Sequence, residues 1–459
     1  MKGPAADANP ARTTSTRITD WGDPRLPRPI RLVNALGGPI LRRRIRLDPD
    51  DLKRAARRRT GLDDFGDGSF EEPLAILLEA IERETPLSAF GRIATRQHLL
   101  SLLESRLRLE DLIRRHPEIL EERIERPIIV AGLPRTGTTH LFNLLSRDPS
   151  LAWLPYWESL EPFPRPDEKP GRDGRDPRLA RCARSLAFLE RMAPLFPAMH
   201  EFTVEGPHEE IQLLALQLST QLFEASYLVP SYGRWYRETD QTPAYAYLKR
   251  SLQALQFLRR CDSDRKPSES ERRSGEAGAS HRGGDGRSGR RWLLKTPQHL
   301  ENLGPLVRTF PDASFIQTHR DPVRISASLA TMIAYGARMQ QRRPDPRVIG
   351  HYWAGRVEDM LRASVDDRPL LPPSRVMDLH FDEFMKDMEG SVERIFAFCD
   401  QPFDDDTTRR IRDFLDDNPK GKHGSVDYRL DDLGLDPAER REALRFYVER
   451  FGVSWDDRG

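Results

Sequence analysis

The stretch Ile129-Val130-Ala131-Gly132-Leu133-Pro134-Arg135-Thr136-Gly137-Thr138-Thr139 gathers the groups that hold an anion. A short apolar run feeds a turn with two glycines five apart, and the turn opens a segment able to form a helix. Turns of this kind aim backbone N–H groups and the positive end of a helix dipole at a phosphate. The spacing matches the nucleoside-triphosphate loop G-x-x-x-x-G-K-[ST], except that Thr138 stands where the lysine would be. That lysine normally reaches the β- and γ-phosphates, so its loss speaks against a kinase or hydrolase and leaves the cradle intact. Arg135 supplies a permanent cation inside the loop, and Thr136, Thr138 and Thr139 add hydroxyl donors. The plain alternative is an ordinary strand-to-helix turn.

Pro134-Arg135-Thr136-Gly137-Thr138-Thr139 resembles the 5′-phosphosulfate loop of the sulfotransferases that use 3′-phosphoadenosine 5′-phosphosulfate (PAPS). The likeness is closest to the group containing many bacterial and the tyrosylprotein sulfotransferases. It implies that PAPS is the donor co-substrate, that no metal is needed, and that Arg135 and Thr136 to Thr139 bind the donor. The family also places an arginine after a later strand and a serine eight residues on, both at the donor's 3′-phosphate; Arg320 and Ser328 fit. Without the family, Arg320 just before a helix would still suit an anion, and Ser328 would be an ordinary helical serine. Asn418-Pro419-Lys420-Gly421-Lys422-His423-Gly424 resembles the basic loop that closes on the same phosphate, which implies roles for Lys420, Gly421 and Lys422.

Sulfuryl transfer needs a base for the acceptor's proton and cations for the charge that develops on the leaving phosphate. Family members with a glutamate base carry it about as far from the loop as Glu158 lies from Arg135, so Glu158 is the expected base. His208, Glu209 and Glu210 precede an apolar run, Ile211 to Phe223, that reads as one helix; they are either helix-start charges or part of an acceptor pocket. Lys295, at the end of a strand in Lys295-Thr296-Pro297-Gln298-His299, resembles the Lys-Ser/Thr-Pro segment of sulfotransferase active sites. It is assigned to charge stabilisation at the leaving group or to acceptor positioning; the His208-Glu209-Glu210 group and His299 are the competing candidates for the base, or else contacts to the acceptor. Candidates for lining the pocket are the aromatic residues beside Glu158, Tyr156 and Trp157, and the stretch Pro230-Ser231-Tyr232-Gly233-Arg234-Trp235-Tyr236. Spacing does not choose among lipid, phenol, alcohol, sugar or peptide acceptors carrying a hydroxyl or amine, and it leaves the oligomeric state open.

These residues need elements to hold them. Strands are expected at Ile128 to Ala131, Trp292 to Leu294, Ala313 to Thr318 and Arg375 to Leu379, alternating with helices at Gly137 to Arg147, His299 to Thr309 and Pro322 to Ala334. Alternation of this kind gives a parallel sheet covered on both faces. The expected class is α/β, a P-loop-containing nucleoside triphosphate hydrolase-like three-layer fold with a helical N-terminal extension. The expected division is a disordered tail at 1–30, helices at 31–126, and a sulfotransferase domain at 127–459 with a mobile insertion at 262–291. The insertion is nearly all Ser, Gly, Arg, Glu and Asp.

Lys plus Arg number 73 and Asp plus Glu 72 in the 459 residues, a net charge of +1, so no global field draws the chain to nucleic acid. Cys182, Cys261 and Cys399 are too far apart to suggest a disulfide framework or a metal cluster. No apolar run reaches the ~20 residues of a membrane span, and Met1 to Arg28 lacks the apolar core of a secretory signal. The chain therefore reads as cytoplasmic and unanchored, acting on a small-molecule acceptor, with attachment to a lipid surface through an amphipathic helix left open. A kinase-like enzyme and a catalytically silent nucleotide-binding protein are the competing readings.

Overall fold

The computed structural model describes residues 15–166, 168–171, 174–264, 290–419, 422 and 424–456. Most of the expected insertion (265–289) and Lys420, Gly421 and His423 of the basic loop lie outside the described residues. Among the described residues the strands are β1 (Ser15–Thr16), β2 (Ile128–Ala131), β3 (Leu151–Ala152), β4 (Leu154–Pro155), β5 (Pro207–His208), β6 (Arg291–Lys295), β7 (Ser314–His319), β8 (Val376–His380) and β9 (Ser425–Val426).

Five strands form one parallel sheet in the order β3-β6-β2-β7-β8. β2 is central, with Ile128 opposite Leu293 on one side and Ser314 on the other. Every residue of β2 is buried, as expected of a strand covered on both faces. Ile128 and Val130 pack with Leu141, Phe142 and Val392 on one face, while Ile129 packs with Leu103, Tyr245 and Leu255 on the other. The result is a three-layer α/β fold. The neighbours of β2 both come later in the chain, so the loop leaving it opens where the strand order diverges, the position at which open α/β sheets bind ligands.

The N-terminal helices Arg28–Arg44, Pro49–Thr60, Glu71–Glu84 and Ala89–Arg115 are set by local signals. Asp48 and Ser88 cap two of them by accepting from Asp51 N and Gly91 N, at 2.9 and 2.8 Å. Leu77, Ile81, Leu99 and Leu103 belong to the same apolar cluster as Trp292, Leu294 and Phe315, so these helices share a core with the sheet. Arg106, fully buried, ties them together by donating to Phe65 O at 2.6 Å and Gln217 Oε1 at 2.7 Å.

The described part of the span expected as a tail is structured. β1 pairs in parallel with β9, Ile18 is buried with Met199, Tyr335 and Val426, and the first helix starts at Arg28. A partner some 400 residues away in the chain leaves no local signal. The run Ile211 to Phe223 is not one helix either. It forms Ile211–Leu214 and the 3-10 turn Ala215–Gln217, breaks at Leu218 with φ 57°, and resumes at Leu222–Ser226. Buried hydrogen bonds fix the break, since the Tyr232 hydroxyl accepts from Thr220 N and donates to the Leu218 carbonyl.

Pro230 to Tyr236 is itself helical, within Pro230–Glu238, because a proline at the first turn suits a helix start. Tyr232 and Tyr236 are sunk in the core, so they do not line an acceptor pocket. The expected helix His299 to Thr309 is a 3-10 turn, Pro297–Glu301, followed by a helix at Leu303–Thr309. No helix among the described residues is long and apolar enough to cross a membrane.

Candidate active site

The loop between β2 and the helix Thr138–Leu145 is closed by contacts that only its residue types allow. Thr136 Oγ1 lies 2.7 Å from both the Leu133 carbonyl and Thr318 Oγ1 on β7. A Cβ on Gly132 would fall 1.9 Å from Thr318 Oγ1, so the chain passes there only as glycine. Gly137, at φ 84°, turns the chain into the helix, whose N-terminus has no side-chain cap. Its free N–H groups face the loop.

Arg135 sits at φ 73°, a left-handed conformation that costs a non-glycine residue about 1–2 kcal/mol. Three contacts hold it. Its carbonyl accepts from Arg320 Nη1 at 2.7 Å, its guanidinium donates to the Met199 carbonyl, and Nη2 lies 3.4 Å from the Tyr428 hydroxyl. The Arg320 guanidinium also stacks on Phe381, 3.9 Å from the ring centroid. Burial first, then Arg135 and Arg324, push the Arg320 pKa below its ordinary value. Cations are thus gathered at the loop against their own electrostatic preference. Ser328 is buried in the following helix and donates to the Ile325 carbonyl at 3.3 Å; Lys422 is exposed, 3.1 Å from Asn418 Oδ1.

A strap crosses this end of the site. β1 holds β9, and the chain after β9 presents Tyr428 to Arg135. From the same strap Asp20 accepts from both terminal nitrogens of Arg338 at 2.9 and 3.0 Å, and Arg338 stacks on Tyr335. The Tyr335 hydroxyl accepts from Leu195 N at 3.1 Å, at the start of the short helix that delivers the Met199 carbonyl to Arg135.

Lys295, at the end of β6, is buried, with Nζ 2.5 Å from Glu209 Oε1 and its backbone N–H 2.8 Å from Glu210 Oε2. The other Glu210 oxygen meets His299 Nε2 at 2.6 Å, and His299 Nδ1 meets the Tyr245 hydroxyl at 2.9 Å. Glu210 and His299 are almost completely buried and form an internal brace for β6. Glu209 and His208 are the members of the predicted group brought to the lysine's charge. Burial, then Lys295 and His200, hold the His208 pKa well below its ordinary value. Burial, Lys295 and Arg135 hold that of His200 at about 3.

Around these groups lies an aromatic set. Tyr156 stacks on Phe202 with centroids 4.8 Å apart and meets the edge of His208 at 4.6 Å; Phe202 also stacks on Phe196 at 5.8 Å. The antiparallel pairing of β4 with β5 sets Leu154 opposite His208 and so brings Tyr156 into this set. Glu158, two residues on, is not among them. Its carboxylate accepts from Arg259, which also donates to the Trp153 carbonyl at 3.1 Å and stacks on Trp292 at 4.7 Å. The structure gives the expected base a cationic partner of its own, Arg259. His200, Phe202 and Tyr428 were missed in the sequence. His200 and Phe202, in Met199-His200-Glu201-Phe202, carried the one available signal, a polar and aromatic cluster in an otherwise featureless turn.

Residues 127–405 match the family model described as the sulfotransferase family. The chain belongs to this family. Solved relatives include sulfotransferase STF1 from Mycobacterium tuberculosis (27% identity, TM-score 0.70, covering 86% of this chain and 97% of that one). Another is STF9 from Mycobacterium avium (26% identity, TM-score 0.70, 89% and 98%). Coverage of 86% exceeds the span 127–459, so the likeness reaches into the N-terminal helices. Among curated proteins, the omega-hydroxy-beta-dihydromenaquinone-9 sulfotransferase Stf3 of Mycobacterium tuberculosis is 26% identical over 139 residues, 29% of this chain. The match spans only 34% of that relative's length. Among the described residues, no group of three or more His, Cys, Asp or Glu side chains is arranged to hold a metal ion.

Proposed function

We propose that this protein transfers the sulfuryl group of PAPS to a hydroxyl, or an amine, of a small apolar acceptor without a metal. The observation that carries the reading is the meeting of Arg320 with the Arg135 carbonyl beside an uncapped helix N-terminus. Half-buried cations that repel each other are stabilised by a bound polyanion, and PAPS offers a 5′-phosphosulfate for the loop and a 3′-phosphate for Arg320 and Ser328. The absence of a lysine at Thr138 favours this donor over a nucleoside triphosphate.

On the acceptor side, Tyr156, Phe196 and Phe202 suit an apolar molecule presenting its hydroxyl to Lys295 and Glu209. The name of Stf3 indicates a hydroxylated menaquinone as that protein's acceptor, and a hydroxyl on an apolar body is the corresponding class here. We assign the base to Glu209 rather than Glu158, because Glu209 is partly exposed beside Lys295 whereas Glu158 is buried against Arg259. In this step the acceptor oxygen forms its bond to sulfur and its proton passes to Glu209. The bond from sulfur to the bridging phosphate oxygen breaks, and Lys295 and Arg135 balance the charge left on that phosphate.

The test is to incubate the full chain with PAPS and hydroxylated apolar acceptors and follow release of 3′-phosphoadenosine 5′-phosphate (PAP). Acceptor-dependent release with the metal chelated is expected. Release that requires magnesium, or turnover of ATP in place of PAPS, would contradict the reading.

A further inference from the structure

The chain's charge is nearly balanced overall and sharply unbalanced in one place. Between Pro24 and Leu47 there are seven arginines and no acidic residue, in a chain whose net charge is +1. Most of that segment is the helix Arg28–Arg44. Its inner face follows helical spacing: Ile30 is buried, Asn34 Oδ1 accepts from Phe90 N at 2.9 Å, and a Cβ on Gly37 would stand 3.4 Å from Ala89 Cβ. The opposite face carries Arg28, Arg31, Leu32, Leu36 and Arg43, all exposed. Leu32 and Leu36, at 59% and 68%, are the most exposed large apolar side chains among the described residues. They sit one turn apart with arginines on either side. Phe188, 42% exposed and 5.7 Å from the Phe90 ring, extends apolar surface alongside this helix.

We propose that the helix Arg28–Arg44 docks the protein on an anionic lipid surface, lying in the interface with Leu32 and Leu36 inserted below the headgroups and Arg28, Arg31 and Arg43 at the phosphates. A basic helix with an apolar stripe binds in this way, by burial of the stripe together with attraction to anionic lipid. The pattern does not suit the other occupants. Two copies meeting face to face would oppose like charges across a two-fold axis. A nucleic-acid backbone would meet the arginines and leave the central leucines without an apolar counterpart. The inference is independent of the identity of the donor and acceptor.

The test is co-sedimentation of the full chain with phosphatidylcholine vesicles with and without phosphatidylglycerol, at low and high salt. Binding to the anionic vesicles that weakens with salt is expected. The Leu32→Asp/Leu36→Asp variant, which changes only exposed positions, should lose at least about tenfold in apparent affinity, and Arg28→Ser/Arg31→Ser a comparable amount. Thermal midpoints equal to the wild type's would verify that both variants fold. No binding to either vesicle, equal binding to both, or unchanged binding of the leucine variant would each overturn the proposal; in the last case the contact would be electrostatic only.

Discussion

Arg320 donates a hydrogen bond to the backbone carbonyl of Arg135 at 2.7 Å, joining the end of β7 to the loop after β2. One arginine thereby fixes the strained conformation of another and stays beside it as a second cation. Replacing Arg320 by Ala removes both effects. The expected result is a rise of at least about 30-fold in the PAP dissociation constant, equivalent to ~2 kcal/mol. Lysine, which cannot reproduce the planar fork, should recover only part of it. Isothermal titration of the three proteins measures this.

Gly132→Ala tests whether the loop is as tightly drawn as the contact with Thr318 requires. The new methyl would displace the Thr136–Thr318 hydroxyl pair, so stability should fall by about 1–3 kcal/mol in urea titration. Unchanged stability would mean that the loop relaxes freely.

Glu209→Gln and Glu158→Gln separate the two candidate bases. Loss of Glu209 should lower kcat by at least about 100-fold while PAP still binds. Glu158→Gln should lower stability through its lost pair with Arg259 and leave most of the turnover. The reverse pattern in kcat would return the base to Glu158.

Asp20→Ala tests the strap. Arg338 is nearly fully buried, and without its carboxylate partner the fold should lose about 3 kcal/mol. Because Arg338 reaches Met199 through Tyr335 and Leu195, PAP affinity should fall as well. Stability loss with unchanged PAP affinity would make the strap purely structural.

Stability should also depend on acid. Burial holds the His98 pKa down at about 4, and burial with Lys295 and Arg135 holds that of His200 at about 3, against 6.5 for the ordinary imidazole. Below about pH 6.5 the unfolded chain takes up protons that the folded chain refuses, so stability present above that pH is lost as pH falls toward 4 and 3. A thermal midpoint that stays constant from pH 7 to 4.5 would contradict the withdrawal of these half-buried rings from water.

What could be read from the sequence follows from what is local. Ile128 to Ala131, Phe315 to Thr318 and the loop between Gly132 and Thr139 announce themselves because strand, turn and helix start are written in adjacent residues. The break at Leu218 depends on Tyr232, and the inward turn of Tyr232 and Tyr236 depends on Asn302 and Thr220, which no window of the sequence places together. Glu158 illustrates the same limit: separation along the chain located its neighbourhood, while the pairing of β4 with β5 and the position of Arg259 decided which way it faces.

The most direct measurement of the central claim is a thermal-shift titration with PAP beside magnesium-ATP, on the wild type and on Arg135→Ala. At about a hundred times its dissociation constant, PAP should add roughly 2.7 kcal/mol of stability to the wild type without metal, and little to the variant. Stabilisation by magnesium-ATP alone would contradict the assignment of this loop to PAPS.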